Sequence, residues 1–403
     1  MRPVRRRDIT LVQGRIWRPF SFLLLSFLSF YCCPLPPCSD MTDFIQTRIQ
    51  NHVAFLTLDR PQALNSLSLP MIRAMTQALL EWQHDAAIRA VLIGSSSEKA
   101  FCAGGDIRFF HEAGSTTPQH GSALLEDFFT EEYALNHLIH HYPKPYIALM
   151  DGIVMGGGMG VAQAGPQCRL RIVTERTKMA MPEVNIGLFP DVGGGYFLSR
   201  APGQVGTYLG VTGAVIGAAD ALYAELADLF LPSAQLPALV EVLASSPATD
   251  MRAAIRAFAA PFQAEIGSAD CALAQRRAAI DRHFAGDEVA AIAASLATDD
   301  SPFAQQTLAV MHQRSPLMMC VTLAQLRRAA ALGVADCLRL ERTMVRRCFE
   351  HGEVLEGVRA LVIDKDNTPR WQPAALDAVT PEMVAGFFAP AWPEHAHPLH
   401  SLR

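Results

Sequence analysis

Met181-Pro182-Glu183-Val184-Asn185-Ile186-Gly187-Leu188-Phe189-Pro190-Asp191-Val192-Gly193-Gly194-Gly195 places two carboxyls, Glu183 and Asp191, in an otherwise apolar run. Pro182, Gly187, Pro190 and the triple glycine exclude one helix through the segment. It reads as turns that carry two acids against a hydrophobic wall. Burial of that kind raises a carboxyl pKa, and paired acids with displaced pKa values do general acid/base work. The plain alternative is two turn acids on the surface. The apolar flanks and a second glycine cluster upstream weigh against it.

That cluster is Met150-Asp151-Gly152-Ile153-Val154-Met155-Gly156-Gly157-Gly158-Met159-Gly160, and it follows Tyr146-Ile147-Ala148-Leu149-Met150, an apolar run with the length of a buried strand. A strand that enters a glycine turn and then a helix presents free backbone N–H groups, which stabilise negative charge. The glycine spacing is not that of a dinucleotide fingerprint, and no Lys-Ser or Lys-Thr follows to make a P-loop. The remaining candidate anion is an oxyanion formed in acyl chemistry; close helix–strand packing also calls for glycine. A third segment, Lys99-Ala100-Phe101-Cys102-Ala103-Gly104-Gly105-Asp106-Ile107, follows the strand-like Ala90-Val91-Leu92-Ile93-Gly94.

Together the three segments resemble the crotonase superfamily, that of the enoyl-CoA hydratases and isomerases, across residues 45 to 390. The resemblance implies an α/β fold: a spiral of β-β-α units with a helical C-terminal region. Phe101 to Ile107 matches the family's first oxyanion and CoA-binding loop, Gly156-Gly157-Gly158 its second, and Met181-Pro182-Glu183 with Gly193-Gly194 its catalytic segment. Hydratases of the family carry a second catalytic glutamate three residues after the middle glycine of the triple, where this chain has Gly160, and a glycine where it has Asp191. Gly187 to Leu198, Glu131-Glu132-Tyr133-Ala134-Leu135-Asn136 and the late segment Glu356 to Asp366 with Pro369-Arg370-Trp371-Gln372-Pro373 instead resemble the 3-hydroxyisobutyryl-CoA hydrolases of that superfamily.

The resemblance implies thioester hydrolysis. The N–H groups of Ala103 and Gly157 would hold the thioester oxygen. Glu183 would act as general base or as nucleophile, and Asp191 would position the substrate hydroxyl or assist proton transfer to sulfur. Glu132 would contact the substrate, as would Gly104, Gly105 and Asp106. The implied substrate is a short 3-hydroxyacyl-CoA; no metal or redox cofactor is expected, since CoA arrives with the substrate. Hydration or isomerisation of enoyl-CoA is the alternative activity, and a non-catalytic CoA-binding scaffold the alternative of another class.

With 403 residues, half of them apolar, the chain can bury a large core. A net charge of −5 implies no nucleic-acid partner. The cations Arg60, Lys99, Arg342, Arg346 and Arg347 are candidates for CoA phosphates but read first as surface charges. Six scattered cysteines outside the leader, without a CxxC pair, suit a reducing compartment. Cys102 adjoins the first loop, and with no recognisable partner histidine it reads as structural. His137, His140 and His141 read as a solvated helix face.

Residues 1–40 hold six arginines, an apolar run from Phe20 to Tyr31, and Cys32, Cys33 and Cys38 among prolines. The run falls short of the about 20 residues a membrane span needs. Secretory signal, transit peptide and a true start at Met41 are the three readings, the last preferred because CoA is an intracellular metabolite. The expected place of work is the cytoplasm of a bacterium or the mitochondrial matrix of a eukaryote, with no membrane partner and with homo-oligomers open. The expected organisation is a core over 41–213, a helical region over 214–390 in which residues 214 to 286 read as alanine-rich helix, and a frayed tail over 391–403. Within it, Glu225 stands where the family usually has glycine.

Overall fold

The computed structural model describes residues 44–117, 122–245, 250–267 and 270–403; the leader lies outside them. Strands β1 (Ile45–Gln50) and β2 (Val53–Leu58) form an antiparallel hairpin. Asn51 and His52 make its two-residue turn at φ +45 and +71, the double left-handed geometry that matches strand twist. Helix α1 (Leu69–His84) follows and buries Met71, Met75, Leu79 and Trp82, the face its spacing predicts.

From there the chain repeats one unit three times. Strand β3 (Ala90–Ser95) leads to β4 (Ala100–Cys102) and then to helices α2 (Ile107–Thr116) and α3 (Ala123–His140). Strand β5 (Tyr146–Met150) leads to β6 (Ile153–Met155) and α4 (Gly157–Ala162). Strand β7 (Arg169–Val173) leads to β8 (Lys178–Ala180) and, past the two-acid segment, to α5 (Gly194–Leu198). The first strand of each unit joins one sheet, ordered β1-β2-β3-β5-β7-β9, where β9 is Leu229–Phe230; the second joins another, ordered β4-β6-β8. Apart from the β1–β2 hairpin every pairing between these strands is parallel. Each unit thus advances both sheets by one strand, which is the expected spiral.

The parallel strands β2, β3, β5 and β7 of the larger sheet are buried on both faces, while the hairpin strand β1 at its edge is exposed. Val91, Ile93, Ala148 and Met150 point into the main core; the alternating Leu92, Ile147 and Leu149 pack with Leu239, Leu243 and Ile255 of the helices Leu236–Ser245 and Met251–Ala259. β9 interrupts the helix expected from 214 to 286, because a strand there extends the sheet beside β7. Glu225 takes φ +59, the conformation glycine would adopt freely, and its carbonyl accepts Arg171 Nη2 at 2.8 Å.

Helix Pro316–Ala329 packs on helix α6 (Val205–Thr212), and helix Val334–His351 packs on α3. The described residues belong to one compact unit, so residue 213 marks a change of composition within it. The tail is not frayed. Leu399 is buried, Arg339 Nη1 donates to the Leu402 carbonyl at 2.8 Å, and His137 Nε2 lies 2.9 Å from the Arg403 carbonyl. Of the three helix histidines, His141 is exposed as expected, while His137 and His140 are half-buried, His137 beside the docked tail and His140 edge-on to Tyr196 at 5.1 Å.

Candidate active site

Because β4, β6 and β8 run parallel as neighbours, the segments that leave their C-terminal ends meet. Ala103, Gly104 and Gly105 come from the first, Gly156 and Gly157 from the second, Pro182 and Glu183 from the third, and all line one cavity of about 210 Å³. Asp191 reaches it from the turn before α5, and Glu132 from the buried face of α3. Phe110, Phe129, Ile186, Leu188 and Leu361 supply apolar wall.

Glu132, Glu183 and Asp191 are 2 %, 6 % and 5 % exposed, so the two-acid segment is the buried kind and a third carboxyl joins it. Oε1 of Glu132 and Oε2 of Glu183 have no hydrogen-bond partner among the described residues. Asp191 Oδ2 accepts a 2.6 Å hydrogen bond from the Tyr133 hydroxyl. Glycine lets the acids approach the backbone so closely. A Cβ on Gly156 would stand 2.7 Å from Glu183 Oε1, and one on Gly157 would stand 2.7 Å from Glu132 Oε1.

Burial holds the Glu183 carboxyl well above the ordinary glutamate range, with the Asp191 and then the Glu132 charge adding to it. Glu132 is raised in the same way, by burial first and Asp191 second. Burial pushes Asp191 up to about 6 against the opposing Tyr133 hydrogen bond.

The two glycine loops supply donors, with one correction. The Ala103 N–H already donates to the Leu64 carbonyl at 3.0 Å, so it is not a free oxyanion donor. Two residues on, the Gly105 N–H has no partner among the described residues, and its nitrogen lies 3.3 Å from where a Cβ on Gly157 would stand. The Gly157 N–H, at the first position of α4, is likewise free. Sequence carries no signal of which N–H in a loop a neighbouring segment consumes. Here the consumer is Leu64, itself at φ +51 in the turn before α1.

Asp106 also departs from expectation. Its Oδ1 accepts the Phe109 N–H at 3.3 Å, capping α2, and its Oδ2 pairs with Arg60 Nη2 at 2.8 Å; it does not line the cavity. Arg342 and Arg346 pair with Glu126 and Arg347 with Glu350, while Lys99 is exposed. Cys102 is buried, and burial pushes its thiol up to about 12, the opposite of an activated nucleophile. Tyr133 was not singled out from sequence; only its place beside Glu132 was available to suggest it.

Gly160 lies behind the Asp191 turn. A Cβ there would stand 2.6 Å from Val192 Cβ and 2.8 Å from Asn136 Nδ2, so no side chain fits.

The family model described as enoyl-CoA hydratase/isomerase matches residues 53–388. The chain is similar to the mitochondrial 3-hydroxyisobutyryl-CoA hydrolase of Gallus gallus, 39 % identical over 383 residues that cover 94 % of this chain and 97 % of that protein. It is also similar to a crystal structure titled as a carnitinyl-CoA dehydratase from Mycobacterium thermoresistibile, with a TM-score of 0.80 and 38 % identity, covering 87 % of this chain and 98 % of that one. A relative of a different kind is the small ribosomal subunit protein mS47 of Neurospora crassa, 39 % identical over 348 residues, 80 % of this chain and 66 % of that protein.

Proposed function

Because the chain belongs to the enoyl-CoA hydratase/isomerase family, we propose that its three-carboxyl cavity hydrolyses 3-hydroxyisobutyryl-CoA, or a similar short 3-hydroxyacyl-CoA, to the free acid and CoA. One observation carries the reading. Glu132, Glu183 and Asp191 converge on a single cavity, while Gly160, at the position of the hydratases' second glutamate, leaves no room for a side chain.

The N–H groups of Gly105 and Gly157 hold the thioester oxygen as it gains charge. Glu183 acts at the carbonyl carbon, either drawing a proton from water or adding directly to give a mixed anhydride that water then cleaves. On either route a C–O bond forms, the C–S bond breaks with its electron pair on sulfur, and a proton reaches the thiolate. Asp191 binds the 3-hydroxyl or relays that proton. Glu132 hydrogen-bonds the hydroxyl from the α3 side. The reaction takes place where CoA thioesters are made, in the cytoplasm of a bacterium or the mitochondrial matrix of a eukaryote. Among the described residues no helix is long and apolar enough to cross a membrane.

The ribosomal relative favours a second reading, a chain kept for assembly instead of catalysis. One assay separates the readings: incubation with 3-hydroxyisobutyryl-CoA and with crotonyl-CoA, following free thiol and enoyl absorbance separately. Thiol release from the first substrate supports the hydrolase. Enoyl hydration without thiol release supports a hydratase, and neither signal supports the assembly role.

A further inference from the structure

Helix Val334–His351 buries one acid that does not line the cavity. Glu341 is 0 % exposed, and its carboxylate reaches the turn that carries Asp191. Oε2 accepts the Gly193 N–H at 2.8 Å and Oε1 the Gly195 N–H at 2.9 Å. Gln325, fully buried on helix Pro316–Ala329, donates through Nε2 to the Pro190 carbonyl at 2.8 Å and to Glu341 Oε1 at 3.2 Å. The backbone is therefore gripped immediately before Asp191 and again two residues after it.

That turn is one that needs gripping. Val192 is β-branched and stands at φ +52, in the left-handed region, followed by Gly193 at φ +87. A conformation of this kind persists only where its surroundings impose it. The Gly194 N–H closes the turn onto the Asp191 carbonyl at 2.6 Å, and Glu341 takes up the N–H groups on either side of it. The Gly193 and Gly195 N–H groups and the Gln325 amide all donate to Glu341, and its carboxylate form accepts all three. Burial pushes the group up to about 8, and the Gly193 and Gly195 donors pull the other way.

We infer that Glu341, together with Gln325, is a positioning pair for Asp191, so that the C-terminal helices set the place of a carboxyl in a cavity built by the spiral. The inference rests on the hydrolase reading proposed above. Glu341 touches no reacting atom; it acts through the backbone of residues 190 to 195. Its removal moves the Asp191 carboxyl and leaves the Glu183 segment, which neither side chain bonds, in place.

The test is a double-mutant cycle on thiol release from 3-hydroxyisobutyryl-CoA, with Glu341→Gln, Asp191→Asn and the pair, each checked for fold by circular dichroism and thermal melting. Glu341→Gln keeps the shape but turns an amide NH2 toward a backbone N–H. Displacement of a reacting group by about 1 Å costs on the order of a hundredfold, so kcat is expected to fall ten- to a hundredfold with KM nearly unchanged. In the Asp191→Asn background the same substitution is expected to cost little more, since the carboxyl it positions is gone. Full kcat in a folded Glu341→Gln protein overturns the inference, and so does an equal loss in both backgrounds. Should Glu341→Gln fail to fold, Gln325→Met, which frees the Pro190 carbonyl, is read by the same two criteria. A wild-type protein that releases no thiol overturns the hydrolase reading itself, an outcome distinct from any difference among variants.

Discussion

Tyr133 donates a 2.6 Å hydrogen bond to Asp191 Oδ2 with both side chains buried, and that bond pulls the Asp191 carboxyl down against the burial that raises it. Burial alone would raise all three acids together. A donor aimed at one of them separates it from the others, and separated titrations are what two-role acid chemistry requires.

Tyr133→Phe removes that donor and little else. A hydrogen bond to a charged group contributes roughly 1.5–3 kcal/mol, so turnover is expected to fall about ten- to a hundredfold near neutral pH. The sign of the pH effect follows: without the donor Asp191 is pushed further up, so the acid limb of kcat/KM moves to higher pH. Full turnover with an unmoved limb would separate Asp191 from the chemistry.

Glu183 links the cavity to stability. Its pKa is raised in the folded protein, so over the window above the ordinary 4.5 the folded state keeps a proton that the unfolded chain has lost. Stability is then fully present below that ordinary value and declines as pH rises toward the folded-state pKa. Glu183→Gln cannot ionise. Its melting temperature relative to wild type is expected to climb as pH rises above the ordinary glutamate range, while thiol release is lost. Parallel melting curves across that range would show that Glu183 is not raised.

Gly157→Ala distinguishes space from donor. The N–H survives, but the new methyl would stand 2.7 Å from Glu132 Oε1 and 3.2 Å from Leu67 Cδ1. The end of a flexible glutamate yields at low cost, so folding is expected to be nearly unaffected. Turnover is expected to drop about tenfold or more as Glu132 is displaced from the substrate hydroxyl. Wild-type kinetics in this variant would show that Glu132 can move without consequence.

Gly160→Ala meets a less forgiving neighbour. Val192 Cβ, 2.6 Å away, is attached directly to a strained backbone and cannot swing aside. Overpacking of this kind costs about 1–3 kcal/mol, read as a lower melting temperature, and the displaced Asp191 turn lowers turnover as well. Gly160→Glu, which restores the hydratases' acid at that position, is expected to misfold and not to hydrate crotonyl-CoA. A stable Gly160→Glu protein that hydrates would overturn the steric account.

The local sequence determined a good deal of this molecule. The apolar run Tyr146–Met150 has the length of a buried strand and is one, and Pro182, Gly187, Pro190 and Gly193 forbid one continuous helix from Glu183 to Asp191, because these constraints act within a few residues of backbone. The resemblance carried by the three glycine-bearing segments then extended that reading to the spiral and to most of the cavity. What the tertiary structure decided is who bonds whom. Leu64 takes the Ala103 N–H and leaves Gly105 free; Tyr133 finds Asp191 across a sequence gap of 58; Arg403 finds His137, so the tail docks. Glu341 and Gln325 reach the Asp191 turn from more than a hundred residues away. A hydrogen bond needs its donor and acceptor within about 3 Å, and for groups this distant along the chain only the packed fold brings them that close.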